Sequence, residues 1–418
     1  RSIWSIVWSC LSTIFLCTWV AVHPNVHFRL EKRNQRWLKN WLWDPLHDFF
    51  TYKLVLFLWA LLVPEYILAW AVRQYFQAGV ISKKVPSWTR THGFYMIMGG
   101  FHLFRLPADA PSTPLSLKSL ESSGFVVPTG YYTQGDETPV CPLKFEDFPV
   151  DILEIIAPKE AELKDRGKSD ALTKIIVLVQ TLWFVIQCIA RGIQHLPLTE
   201  LEVVTLAYAM LNFFIYGFWW DKPRNVEYPI RVYKTSVASH EESGDKPEDW
   251  DDSWGGRWVG FIVNYTVGGQ DDFVTLSEQH SIPMFWSGRI ATRDLGPAGI
   301  GPSILGAAFG AIHYISWSSE FPSRAELLLW RVSCAAMVAV PFIVAIICAY
   351  WAAEQRVKSE YIEWLEYIAY TFVILFVLSA WLYIAGRMAT LVIAFISLRS
   401  LPPATFMTVD WTTFIPHI

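Results

Sequence analysis

Seven stretches of this chain are too long and too apolar to sit in the core of a soluble domain: residues 3–22, 54–76, 175–193, 201–220, 302–317, 325–353 and 367–386. A helix needs roughly 20 predominantly apolar residues to cross the hydrocarbon layer, and each stretch approaches or passes that length. With no water at that depth, a chain can satisfy its backbone only as helices or as a closed barrel. The sequence therefore predicts an all-α integral membrane fold. It is a bundle of about seven transmembrane helices with partial or interfacial segments and two polar inserts.

Composition agrees. Hydrophobic residues make up 53% and charged residues 17%, against about 45–50% and about 25% in soluble proteins. Trp4, Trp8, Trp19, Trp41, Trp43, Trp219, Trp220, Trp317 and Trp351 lie near the ends of apolar stretches, where amphipathic indoles anchor at the headgroup level. The lipid bilayer is thus the first partner. The net charge of −4 is spread over several polar pieces, and no basic block points to nucleic acid. Of six cysteines, Cys10, Cys17, Cys188, Cys334 and Cys348 lie in apolar stretches and Cys141 in a polar loop. Without CxxC or zinc-type spacing they read as packing residues, so no metal site is expected and the cofactor content stays unknown.

Five regions follow: residues 1–108 with the first two spans, a polar insert at 109–174, a transmembrane hairpin at 175–220, a second insert at 221–298, and C-terminal helices with an interfacial tail at 299–418. Residues 3–22 lack a basic leader beyond Arg1 and a small-residue cleavage site, which favours a spanning helix over a signal peptide. Arg29, Lys32, Arg33, Arg36 and Lys39, running into Trp41-Leu42-Trp43, suit an interfacial helix or an ordinary linker. Pro64 should kink the second span. The "THGFYMIMGGFHLF" segment at 91–104 is too short to span, and its Gly99-Gly100 break suggests a re-entrant or interfacial piece. Thr199 is placed to cap the fourth span, with Glu200 and Glu202 in its first turn. Residues 388–398, just past Arg387, are expected to turn along the interface before Pro402-Pro403. The acidic run from Glu241 to Asp252 reads as solvated surface. The basic cluster on the first connection favours that side as cytoplasmic, with the N-terminal end and both inserts opposite. Asn264-Tyr265-Thr266 would be a glycosylation acceptor there.

Ionisable residues at membrane depth are the strongest pointers to chemistry, since each costs at least about 2.5 kcal/mol if left in lipid. Glu65, beside Pro64, either binds a cation or proton together with freed carbonyls or forms a packing pair with Arg73, two turns on. Gln180, Gln187, Arg191 and Gln194 form one polar stripe on the third span, suited to a permeation path or to interhelical hydrogen bonding. Gly306 and Gly310 permit close helix approach, and His313 follows as a proton relay or a packing residue. His92 and His102, ten residues apart, do not reliably share a face. There is no GxxxxGK[ST], no HExxH and no GxSxG. Asp251-Asp252 and Asp271-Asp272 lie in a polar insert rather than a span, which counts against a magnesium-dependent prenyl-transfer site.

The stretches "RSIWSIVWSCLSTIFLCTWVAVHPN", "VPEYILAWAVRQ", "TLWFVIQCIARGIQHLPLTELEVVTLAYAMLNFFIYGFWWDKP", "GAIHYISW" and "SLRSLPPATFMTVDWTTFIPHI" together resemble a large family of uncharacterised fungal multi-pass membrane proteins. The resemblance covers nearly the whole chain and implies a fungal membrane protein starting after a short leader, with no activity attached.

The expected function is transport or conduction of an ion or small solute. Glu65 would hold the cation or proton, Arg73 or Arg191 would tune it, and His313 would relay protons. An integral membrane enzyme acting on a lipid or isoprenoid, and a sensor or scaffold, are the competing readings. The expected location is the secretory pathway or plasma membrane, in a monomer or an oligomer.

Overall fold

The computed structural model describes residues 1–27, 46–47, 49–106, 110–114, 125–128, 138–167, 170–234, 276–288, 292–354 and 363–411. The basic segment from Arg29 to Trp43, the acidic tract from Glu241 to Asp252, Asn264 and the Asp251-Asp252 and Asp271-Asp272 pairs lie outside the described residues. Helix α1 is Ile3–Phe15 and continues through a π-helical turn, Leu16–Val20. Two helices, α2 (Leu54–Leu62) and α3 (Pro64–Lys84), follow, and then α4 (Arg90–Ile97). Strands β1 (Phe101–Arg105), β2 (Ser112–Pro114), β3 (Phe125–Pro128) and β4 (Thr138–Pro142) precede α5 (Val150–Ile156) and α6 (Glu160–Arg166). Beyond them come α7 (Asp170–Ile193), α8 (Glu200–Phe218), β5 (Ile230–Lys234), α9 (Thr292–Ile312), α10 (Arg324–Glu354) and α11 (Glu363–Ile396).

Six helical segments are long and apolar enough to cross a membrane: α1 with its π-helical turn, and α7 to α11. Their outward faces are apolar and exposed, with Trp4 at 82% and Trp381 at 68%, a surface that only lipid or a partner would tolerate. The short connection before α8 behaves as its residues require. Thr199 and Glu202 form a reciprocal capping box that satisfies two of the helix's orphan donors.

The second predicted span departs from the expectation. Pro64 cannot donate to the preceding turn, and the chain leaves α2 at Val63 (φ −137°, ψ 64°) and restarts with proline at the first helical position of α3. The axes differ by 107°, far more than a kink. Both arms then return to one residue. The Tyr52 hydroxyl, just before α2, donates to the Asn25 carbonyl (3.4 Å), and Gln74 of α3 donates to Asn25 Oδ1 (3.0 Å). Nine residues carry α2 only about 14 Å inward. The pair is bent by 107°, and these contacts bring Tyr52 and Gln74 to the same residue near the His23 end of α1.

That end also holds the C-terminus of α8, where Lys174 donates to the Trp220 carbonyl (2.8 Å). The opposite end gathers the α7–α8 connection and the tail. Arg1 pairs with Glu202, Arg191 donates to the Met407 carbonyl (2.8 Å), and Arg399 pairs with Glu326 (2.6 Å). The N-terminal end of α1 therefore lies across the bundle from the inserts, not beside them as charge had suggested. Among the described residues, six helices are long and apolar enough to cross a membrane, or seven segments if the bent α2–α3 pair is one span.

The inserts are joined by a sheet that a purely helical reading omits. Its order is β2-β3-β5-β1-β4, with β1 and β5 parallel and the other pairs antiparallel. The 91–104 segment contains a strand as well as a helix. It folds as α4, a tight turn with Gly99 at φ +85°, where L-residues are disfavoured, and strand β1. One continuous apolar core runs from Trp330 and Phe309 in the bundle through Trp70 and Trp219 to Phe101 and Phe125 in the sheet. All six cysteines are free and buried, and burial pushes the Cys141 thiol in β4 up to about 11.

Candidate functional site

The apex of the bent α2–α3 pair meets the middle of three long helices. Losing the Pro64 donor and bending at Val63 leaves carbonyls at the end of α2 without helical partners. The Tyr208 hydroxyl, midway along α8, donates to one of them, Leu61 O. Glu65 follows in the first turn of α3, a position favourable to a carboxylate. Its Oε1 accepts from the Tyr383 hydroxyl of α11, and its Oε2 has no hydrogen-bond partner. Gly306 of α9 makes room. A Cβ there would stand 2.9 Å from Glu65 Cγ and 3.2 Å from Pro341 Cβ.

Arg387 lies one turn beyond Tyr383 on α11 and is fully buried. Its guanidinium packs over the Tyr208 ring (4.5 Å to the centroid) and the Phe309 ring (4.6 Å), which partly replaces the water its charge has lost. Nη1 donates to His313 Nε2 (3.1 Å). His313 Nδ1 lies 3.0 Å from the Phe309 carbonyl. A carbonyl cannot donate and a guanidinium cannot accept, so Nδ1 carries the proton and Nε2 is the acceptor. His313 is thus a neutral imidazole with both nitrogens committed. Arg387 Nε and Nη2 have no partner, and each buried unsatisfied donor costs on the order of 1–3 kcal/mol. Glu65 and Arg387 interact electrostatically across the cluster without forming an ion pair.

A second polar cluster closes the bent pair at its open end. Lys222, 1% exposed, donates to the His23 carbonyl, Gln74 Oε1 (2.8 Å) and Asn25 Oδ1 (3.4 Å), between the Trp70 and Trp219 rings at 4.6 and 4.5 Å. Burial pushes this ammonium well below its ordinary value, with the Lys174 charge adding to the effect. Carbonyl oxygens and indole faces offset it. Gln74 and Trp70 also donate to the Trp286 carbonyl (2.7 and 2.9 Å). The cluster fastens α1, α3, α8 and the 282–287 segment together.

Of the residues singled out in the sequence, the structure brings Glu65 and His313 into one cluster, linked through Arg387 and Tyr383. Arg73 is not the ion-pair partner of Glu65. It lies buried near the Tyr66 ring (5.6 Å). Arg191 is committed to the Met407, Pro197 and Thr405 carbonyls (2.8, 2.8 and 3.2 Å), and Gln194 exchanges hydrogen bonds with Asp410. That half of the stripe holds the tail, while Gln180 and Gln187 are half-buried on α7, which packs mainly on α1 and α8. Arg387 was expected at a helix end. Instead α11 continues unbroken to Ile396, because His313 and two aromatic faces accommodate the charge inside the bundle. His92 accepts from the Thr89 N–H (3.1 Å) and donates to the Pro158 carbonyl (2.9 Å). Burial holds His102, on β1, down to about 4. Among the described residues no three His, Cys, Asp or Glu side chains converge as they would on a metal ion.

A model for a family of unknown function (DUF8562) matches residues 150–239. The match runs from α5 through α8 into β5, so it includes Tyr208 and Arg191 but not Glu65, His313 or Arg387. No curated protein and no solved structure matches the chain.

Proposed function

We propose that this chain is an integral membrane protein that transports or conducts an ion or small solute through its helical bundle, with Glu65 as the residue that takes up the cation or proton. The supporting observation is the Glu65 carboxylate at the apex of the bent α2–α3 pair, with one oxygen open, midway along the surrounding helices. Irregular backbone at such depth is tolerated where it is buried in protein or lines a polar path, and interrupted helices commonly carry the substrate site of a transporter. The tuning role expected of Arg73 or Arg191 passes to Arg387. His313 orients that arginine, and a relay through its ring would first have to break the bond to Phe309 O or to Arg387. The fungal origin implied by the resemblance, and a place in the secretory pathway or plasma membrane, belong to the same reading.

Flux into proteoliposomes loaded with a pH-sensitive dye tests the proposal. The unaltered protein should carry acid equivalents well above empty vesicles, and Glu65→Gln, which keeps an acceptor for Tyr383, should lower that flux at least about tenfold. Unchanged flux in Glu65→Gln would remove Glu65 from the role. Flux equal to that of empty vesicles in the unaltered protein would favour the lipid-directed enzyme or the sensor.

A further inference from the structure

Arg387 presents an arrangement that packing alone does not explain. The Tyr208 and Phe309 ring centroids lie 4.5 and 4.6 Å from its Cζ and answer part of its charge, and the Tyr208 hydroxyl adds an electrostatic contact. Nη1 is used by His313, while the two donors left without partners are Nε and Nη2. Those two N–H groups form one parallel edge of the fork, the edge whose spacing matches the two oxygens of a carboxylate. Arg387 is fully buried, so the edge is aimed into the protein interior. The unpartnered Glu65 Oε2 belongs to the same cluster, with Tyr383 on its other oxygen.

We propose that this site binds a short-chain monocarboxylate anion, held side-on by Nε–H and Nη2–H of Arg387. The inference rests on the transport reading and names the solute class. Charge sets the valence. Arg387 is the one cation among the described side chains of the cluster, because the hydrogen bonds of His313 make it neutral. A monoanion balances Arg387 once Glu65 carries a proton, whereas a dianion would leave uncompensated charge in a low-dielectric interior. Shape sets the size. The Tyr208 and Phe309 rings stand beside the guanidinium, 4.5 and 4.6 Å from its Cζ. Aromatic walls of this kind suit a short apolar tail and no bulky polar group.

Thermal unfolding of the full chain in detergent tests the inference without any flux. Propionate should raise the midpoint saturably at constant ionic strength, while propionamide, the same size without the charge, should not. Arg387→Lys keeps a cation and loses the fork, so it should weaken the propionate response about tenfold or more. The propionate–propionamide comparison needs no variant and stands even if Arg387→Lys does not fold. Equal responses to propionate and propionamide, or none to either, would overturn the proposal, as would a full response in a folded Arg387→Lys. A response to phosphate alone would overturn the carboxylate class. A response to oleate alone would make the ligand an acyl chain from the bilayer and overturn the short-chain assignment. Because the readout is binding, absent flux with intact propionate binding would count against transport and leave the site standing.

Discussion

A carboxylate is tolerated inside an apolar bundle only if its oxygens are answered, and Glu65 has one answer, from Tyr383. Replacing Tyr383 with Phe deletes that donor and leaves both oxygens bare. It should cost about 1–3 kcal/mol, read as a lower denaturation midpoint. The same substitution in a Glu65→Gln background should cost less, since no charge is then stranded. Glu65 and His313 were legible in the sequence because an ionisable group in an apolar run stands out whatever surrounds it. Tyr383 and Tyr208 were not, because tyrosine is common in membrane helices and its partner is set by tertiary packing. Arg73 looked like the partner of Glu65 from helical spacing alone. The hydrogen bond to α11 decided otherwise.

At the scale of elements, Pro64 and the α9 glycines do the shaping. A Cβ at Gly310 would come within 2.6 Å of the Met337 backbone, so Gly310→Leu should push α9 and α10 apart. The expected loss is about 1–3 kcal/mol in thermal or denaturant unfolding, whereas Gly301→Ala, which meets nothing within 4 Å, should leave the midpoint unchanged. Most spans were legible to within a few residues, since length and apolarity are local properties, but the last lies at Leu378–Ser400 where 367–386 was expected. The 107° reversal at Val63 was not, because a proline signals a break without stating its angle. The sheet was hidden for a different reason. "FHLFR" and "IRVYK" pair in parallel across more than a hundred residues, and such short mixed runs carry no clear period of their own.

For the whole molecule, the account rests on how many times the chain crosses the bilayer. Six crossings would put residues 1 and 405 at one end and both inserts at the other, with the α2–α3 hairpin dipping in from the insert end. A seventh crossing would carry α3 through to the far side and take Glu65 away from an apex. The direct measurement is labelling with a membrane-impermeant thiol reagent. Single cysteines would be introduced at Thr51, Lys84, Tyr228, His195 and Glu320, all exposed, in a background with the six buried cysteines replaced. Positions 51, 84 and 228 should react from one face of the membrane, and positions 195 and 320 from the other. Labelling of 51 and 84 from opposite faces would make α2–α3 a bent span and contradict the re-entrant site.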